Sequence, residues 1–118
     1  MVSLVNKYRA QNGLSPVEID QTLSLAATKR AKETETLFSH TRPDGSSCFT
    51  VLSQYGVPYR GAGENIAMGQ KDAEEVMTAW MNSDGHRANI LGENFTKIGV
   101  GVHKGADGRL YWAQMFVY

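Results

Sequence analysis

The spacing of apolar residues predicts helices along the first two thirds of the chain. The first helix covers about residues 2–12, and its apolar face is formed by Leu4, Val5 and Tyr8. A longer helix begins at the candidate N-cap Asp20 and runs to about Leu37 or Phe38. Its inward face is rich in alanine and consists of Leu23, Ala26, Ala27, Ala31 and the Leu37/Phe38 pair. Charged residues that include Arg30 fill the other side, which is typical of a solvated face, and the alanines predict close packing on a neighbouring element.

Three further elements are predicted in the middle of the chain. A short helix covers about residues 47–55, and residues 64–68 form a short strand. A third helix begins at Asp72, where Glu75 follows at the spacing of a capping box. Its inward side chains are Ala73, Val76, Met77 and Trp80. This helix ends in a turn at residues 82–85, and His86 begins a short segment that reaches Leu91.

The last third of the chain changes to the two-residue period of β-strands. Ile98, Val100 and Val102 alternate with small or polar residues, and Asp107-Gly108 is a strong hairpin signal. The final strand, residues 110–117, carries large apolar side chains on both faces, which predicts a central strand covered from both sides. Helices followed by a hairpin, without βαβ alternation, indicate an α+β layered fold.

Composition narrows the class of protein. A chain of 118 residues is expected to form one domain, residues 1–118. Twelve basic and twelve acidic side chains balance, so net charge does not indicate a nucleic-acid or membrane-surface partner. No apolar run is long enough for a transmembrane segment, and no signal segment is recognised, so the early helix suggests a mature fragment or an excised domain. A single cysteine, Cys48, excludes an internal disulfide.

The candidate chemistry is centred on Glu64, in the stretch Gly-Ala-Gly-Glu-Asn-Ile-Ala at residues 61–67. Glycines give access to positive φ, so a Gly-x-Gly turn can direct this carboxylate inward. A buried carboxylate requires a partner, and the candidates are His40 and His86, on either side of it in the sequence. We therefore expect His40, Glu64 and His86 to share one cleft, with Asn65 and Gln114 as polar groups near its rim.

Several motifs occur in a distinctive order along nearly the whole chain. They are Tyr8-Arg9-Ala10, Asn12-Gly13-Leu14, Phe38-Ser39-His40, Gly63-Glu64-Asn65-Ile66-Ala67, Trp80-Met81-Asn82-Ser83, Gly85-His86-Arg87-Ala88-Asn89-Ile90-Leu91, Ile98-Gly99-Val100-Gly101-Val102 and Tyr111-Trp112-Ala113-Gln114. Together they resemble the CAP superfamily (cysteine-rich secretory proteins, antigen 5, pathogenesis-related 1), and in particular its short bacterial SCP-like extracellular domains.

The resemblance implies a three-layer α-β-α sandwich, in which a small antiparallel sheet is covered by helices on both sides. It also implies an extracellular or cell-envelope location and a place within a longer exported protein. The family cleft usually holds two histidines and two acidic residues, and His40, Glu64 and His86 match three of these positions. Ser83 stands where the family has its second Glu, so the neighbouring Asp84 is the candidate substitute at the cleft rim.

Two imidazoles and a carboxylate are also the ligands of an open Zn²⁺ site, so His40, His86 and Glu64 are candidate ligands for zinc or another divalent cation. Such an ion could polarise a carbonyl, but the HExxH spacing of zinc proteases is absent. Cys48 begins a predicted helix, whose dipole would lower its pKa, although a lone cysteine is more often a packed apolar residue. The third histidine, His103, is expected on the surface.

Three functions remain open at this point. The first, which we favour, is a binding module whose cleft takes a small-molecule, lipid, glycan or protein ligand. The second is a metal-dependent, peptidase-like hydrolase that uses His40, Glu64 and His86; the missing second Glu removes its general base. The third is a structural module of the envelope or spore.

Overall fold

Five helices and four strands account for most of the chain in the computed structural model, which describes residues 1–118. In chain order they are α1 (Val2–Gln11), β1 (Glu18–Ile19), α2 (Gln21–Thr36), α3 (Thr50–Gln54), β2 (Ala62–Met68), α4 (Ala73–Met81), α5 (Asp84–Ile90), β3 (Lys97–Lys104) and β4 (Leu110–Val117). None of the helices combines the length and the apolar character needed to cross a membrane.

The four strands form one sheet in the order β1-β3-β4-β2. β4 is paired antiparallel with both β3 and β2, so it is central, as its two apolar faces predict. β1 was not predicted; it contributes only two residues, which pair in parallel with β3. β2 is an edge strand along its whole length, because its only partner is β4.

Helices cover both faces of the sheet, which confirms the α-β-α sandwich. On one face, α1, α4 and α5 enclose a core whose largest members are Trp80, Met77, Ile90, Trp112 and Phe116. On the other face, α2 and α3 enclose a second core that contains Leu23, Val51, Leu52, Ala113 and Met115. Successive residues of β4 therefore alternate between two separate cores.

The predicted helix boundaries are confirmed where a side chain caps the helix. The Asp20 carboxylate accepts from the Leu23 amide at 2.8 Å, and Asp72 accepts from the Glu75 amide at 2.8 Å. The short helix α3 is less extensive than predicted, and α5 begins at Asp84 rather than at His86. The long helix α2 ends at Thr36, close to the predicted end, but Leu37 and Phe38 do not join its buried face and are 42% and 44% exposed.

Close contact between α2 and β3 depends on two glycines. A Cβ on Gly99 would lie 2.3 Å from the backbone carbon of Leu23, and a Cβ on Gly101 would lie 2.4 Å from the Cα of Thr28. Ala26, Ala27 and Ala31 of α2 are fully buried. The alanine-rich face therefore packs directly on glycine positions of the sheet, which confirms the predicted close packing.

The opposite face of α2 differs from the prediction. Arg30 was assigned to a solvated face, but it is fully buried.

The stretch around Gly63 was expected to be a positive-φ turn. Instead it lies in β2, and neither Gly61 nor Gly63 has a positive φ. Gly63 is needed for space, because a Cβ there would lie 2.8 Å from Oδ1 of Asn89.

Candidate functional site

The edge strand β2 directs neighbouring side chains to opposite faces of the sheet. Glu64 is opposite Met115, and Asn65 is opposite Gln114. Because side chains alternate along a strand, Glu64 points towards α2 while Asn65 points towards α5. The candidate residues therefore approach one sheet edge from two sides.

The Glu64 carboxylate is buried between a guanidinium and an imidazole. Arg30 donates from Nε to Oε2 at 2.7 Å and from Nη2 to Oε1 at 3.1 Å. The Nδ1 atom of His40 lies 2.8 Å from Oε1. Because an ionised carboxylate only accepts, Nδ1 carries the proton of this bond, and Nε2 of a neutral His40 ring is left unprotonated. The expected contact between His40 and Glu64 is present, and Arg30 is a partner that the charge pattern did not reveal.

A second carboxylate extends this network to the loop that carries His40. Glu33 accepts from Nη1 of Arg30 at 2.9 Å and from Nη2 of Arg42 at 2.7 Å. Burial would raise the pKa of Glu33, but the hydrogen bonds from Arg42 and Arg30 outweigh it and hold that pKa below its usual value. Arg30 also donates to the carbonyl of Ser39 at 2.7 Å. The position of His40 is thus fixed by charged groups on both sides of its loop.

His86 is held separately from the Glu64 carboxylate. Its Nδ1 atom lies 2.9 Å from Oγ of Ser83, and its ring centroid lies 6.4 Å from that of Trp80. Burial lowers the pKa of His86, and the charge of His40 lowers it further. His86 therefore has a different hydrogen-bond partner from His40.

The remaining predicted residues lie away from the cleft rim. Asn65 and Gln114 are fully buried, and Nδ2 of Asn65 donates to Oε1 of Gln114 at 2.8 Å and to the carbonyl of His86 at 3.1 Å. They support the cleft from beneath rather than line its rim. Asp84 is exposed in the first turn of α5 and makes no hydrogen bond or ion pair with the other candidate residues.

Two open pockets lie side by side along β2. One has a volume of about 370 Å³, and its walls include Phe38, Met68, Trp80 and His86. The other has a volume of about 280 Å³, and its walls include His40, Cys48, Phe49 and Glu64. We call this pair of pockets the β2 cleft; it has His40 in one pocket and His86 in the other.

Along the free edge of β2, two backbone carbonyls accept hydrogen bonds from side chains, whereas two backbone amides have no hydrogen-bond partner. The carbonyl of Glu64 accepts from Nδ2 of Asn89 at 3.1 Å, and that of Ile66 accepts from Nε1 of Trp80 at 3.1 Å. In an antiparallel pair, alternate residues direct both backbone groups away from the partner strand. The N–H groups of Glu64 and Ile66 face the same edge, and neither has an acceptor within the chain.

The residues that lie close enough together to hold a metal ion differ from the predicted set. Three side chains, those of His40, Cys48 and Glu64, each place one possible ligand atom within 4.8 Å of the other two. His86 is not part of this group. Cys48 precedes α3 and is buried, and burial together with the charge of Glu64 raises its pKa to about 12. Of the two interpretations of Cys48, its burial agrees with the packed apolar residue and not with a thiol activated by the helix dipole. His103 pairs with Glu35 at 2.9 Å, outside the cleft.

Comparisons with known sequences indicate one protein family. The model of the cysteine-rich secretory protein family, CAP, matches residues 2–116. The Bacillus subtilis (strain 168) protein YkwD is 46% identical, and the match covers 99% of this chain and 45% of YkwD. The chain therefore spans less than half the length of this curated relative.

Solved structures share the fold. An extracellular protein containing an SCP domain from Bacillus anthracis str. Ames has a TM-score of 0.89 and 32% identity, over 98% of this chain and 38% of that one. An outer surface protein from Borrelia burgdorferi has a TM-score of 0.87 and 25% identity, over 98% of this chain and 87% of that one. NaASP2 with Zn²⁺ has a TM-score of 0.59 and 18% identity over 87% of this chain and 60% of that one, which shows the fold alone.

Proposed function

Because this chain belongs to the cysteine-rich secretory protein (CAP) family, we propose that it is an extracellular ligand-binding domain whose ligand occupies the β2 cleft. The observation that carries this proposal is the presence of two open pockets against successive parts of one edge strand, with an imidazole in the wall of each. Both imidazoles are oriented by a partner side chain, His40 by Glu64 and His86 by Ser83. Pre-oriented polar groups beside apolar walls are typical of small-molecule sites.

The chemistry of the cleft indicates a ligand with an apolar part and a hydrogen-bond acceptor. The larger pocket offers Phe38, Met68 and Trp80 as apolar surface. The uncapped N–H groups of Glu64 and Ile66 can donate to an acceptor, while the carbonyls of the same residues are already bonded. An aromatic or aliphatic carboxylate or amide meets both requirements.

The hydrolase alternative has less support. Its acidic residue would be Glu64, but both oxygens of that carboxylate are bonded to Arg30 or His40. Asp84, the substitute for the second acid, is exposed and makes no bond with the cleft residues. Glu64 is therefore engaged by its own partners, and Asp84 does not line either pocket of the cleft, so neither carboxylate is placed as a general base.

The similar structures support the proposed location. One is described as extracellular and another as an outer surface protein. Since this chain covers only 45% of YkwD, we also propose that residues 1–118 act as one domain of a longer exported protein. Such a domain is also compatible with the third function, that of a structural module of the envelope or spore.

The proposal is tested by screening aryl and alkyl carboxylates, with their primary amides, by saturation-transfer NMR. We expect fragments to bind the wild type, and His86→Ala to weaken binding by roughly five- to tenfold, equivalent to about one hydrogen bond. His103→Ala is the matched control, because it removes a histidine outside the cleft. Equal binding by both variants, or no binding fragment at all, would contradict the proposal.

A further inference from the structure

One polar atom in the wall of the β2 cleft has no hydrogen-bond partner. Among residues that are not exposed, Oε1 of Gln70 is the only buried side-chain oxygen or nitrogen without one. Gln70 lines the larger pocket of the cleft, together with Phe38, Met68, Trp80 and His86. Buried polar groups without a partner are rare in folded proteins, and each one requires an explanation. Here the unpaired acceptor belongs to the pocket in which we place the ligand.

The backbone of Gln70 is held firmly, whereas its side-chain amide is not. The N–H of the preceding Gly69 donates to the carbonyl of Leu110 at 2.9 Å, and the carbonyl of Gln70 accepts from Nε1 of Trp112 at 3.0 Å. These two bonds fix the turn that follows β2 against β4. No hydrogen bond holds Oε1 in the same way, and the last torsion of a glutamine side chain is soft. The amide can therefore adjust to a ligand in the pocket.

We propose that Gln70 selects ligands that carry a carboxamide group. This role of Gln70 rests on the function proposed above, because it requires a ligand in the β2 cleft. An amide N–H of the ligand supplies the donor that Oε1 lacks, and the amide oxygen accepts from the unpartnered N–H of Ile66 in the same pocket. The apolar walls accommodate an aryl or alkyl group attached to the carboxamide.

A carboxylate of the same shape meets only half of this requirement. An ionised carboxylate accepts hydrogen bonds and donates none, so it leaves Oε1 of Gln70 unpaired and brings two acceptors together. Its charge also loses hydration beside the apolar side chains of Phe38 and Trp80. A site that contains a hydrogen-bonding group strongly rejects analogues that lack the matching group. Gln70 therefore distinguishes two ligands that the rest of the cleft accepts alike.

The selection is tested with phenylacetamide and phenylacetate, which share the ring and the methylene group. In ¹H–¹⁵N NMR titrations at neutral pH, we expect wild type to bind phenylacetamide at least roughly tenfold more tightly than phenylacetate. Gln70→Met keeps the length of the side chain but removes the acceptor, so it should reduce this ratio to about one. N-acetylglucosamine and N-acetylphenylalanine amide, titrated alongside, show whether a sugar or a peptide carries the preferred carboxamide.

The unfolding of the ligand-free protein gives an independent measurement. Because Gln70→Met removes a buried acceptor that has no partner, the thermal midpoint of this variant should equal or exceed that of wild type. The matched control is Gln21→Met, at an exposed position at the start of α2, which should leave the ratio of affinities unchanged.

Three results would overturn this role of Gln70 while the cleft still binds a ligand. They are equal affinity of wild type for phenylacetamide and phenylacetate, a wild-type preference that Gln70→Met retains, and a clearly lower midpoint of Gln70→Met, which would mean that Oε1 has a partner. If neither compound binds wild type, the function proposed for the cleft fails together with the role of Gln70.

Discussion

Replacing Glu64 with alanine tests the charged network that holds His40. The substitution leaves Arg30 buried, with its side chain 0% exposed and without the partner that held Nε. Removing one partner of a buried ion pair costs about 3–5 kcal/mol. Arg30 would keep Glu33 at 2.9 Å and the carbonyl of Ser39 at 2.7 Å, so we expect the lower end of that range, about 3 kcal/mol.

The assay is urea unfolding at neutral pH, followed by circular dichroism. With a slope of about 1.5 kcal/mol/M, a loss of about 3 kcal/mol lowers the midpoint by about 2 M. The matched control is Glu35→Ala, because Glu35 also bonds a histidine, His103, at 2.9 Å but is partly exposed. Exposed pairs contribute about 0–1 kcal/mol, and Glu35 also accepts from the Ala106 amide at 2.7 Å, so the control should lose clearly less stability than Glu64→Ala.

A double variant separates charge from packing. In Arg30→Met/Glu64→Ala no buried charge is left unpaired, and Glu33 keeps Arg42, so we expect more than half of the lost stability to return. If Glu64→Ala costs no more than Glu35→Ala, or if the double variant is less stable than Glu64→Ala, the charged network does not act as described.

Three further predictions concern other parts of the molecule. Gly99→Ala should destabilise the protein by about 1–3 kcal/mol or more in thermal unfolding, because its Cβ would meet the α2 backbone. Gly85→Ala, which has open space around it, should be neutral or slightly stabilising. Equal effects of the two substitutions would contradict the close packing of α2 on β3. Arg9→Lys should destabilise the protein by about 2 kcal/mol. The guanidinium of Arg9 donates to the carbonyls of Ser15, Ile90 and Gly92 at 2.8–2.9 Å, and a lysine cannot reach all three. An unchanged unfolding midpoint would contradict this role of Arg9. NMR titration should give a pKa of His86 below 6.5, because partial burial and the His40 charge disfavour its protonated form, and His40→Ala should raise that pKa in part. This contribution to stability is present above pH 6.5 and is lost as the pH falls through the folded-state pKa, and a normal pKa would contradict the half-buried position of the ring.

Much of the fold could be predicted from helix-capping residues and from the pattern of apolar residues along the strands. Asp20 and Asp72 cap their helices as their positions suggested, and the two apolar faces of residues 110–117 predicted the central strand. The two-residue strand β1 has no such signal, because a strand of that length carries no periodicity and depends on its pairing with β3.

The site was predictable in part. The pairing of His40 with Glu64 followed from the need of a buried carboxylate for a partner, but Arg30 was missed because charge alone does not distinguish a buried arginine from a solvated one. Cys48 joins the group through the folding of its loop against β2, which sequence spacing does not encode. Asn65 and Gln114 were recognised as important polar residues, yet strand pairing directs them into the interior.

The most direct test of the proposed function is an amide ¹H–¹⁵N NMR titration with the best-binding carboxylate fragment. We expect the largest shifts in Ala62–Met68, and above all at the unpartnered amides of Glu64 and Ile66. The amide version of the fragment should move the same signals. Shifts centred instead on the groove between α1 and α4, lined by Tyr8 and Met77, would contradict binding in the β2 cleft.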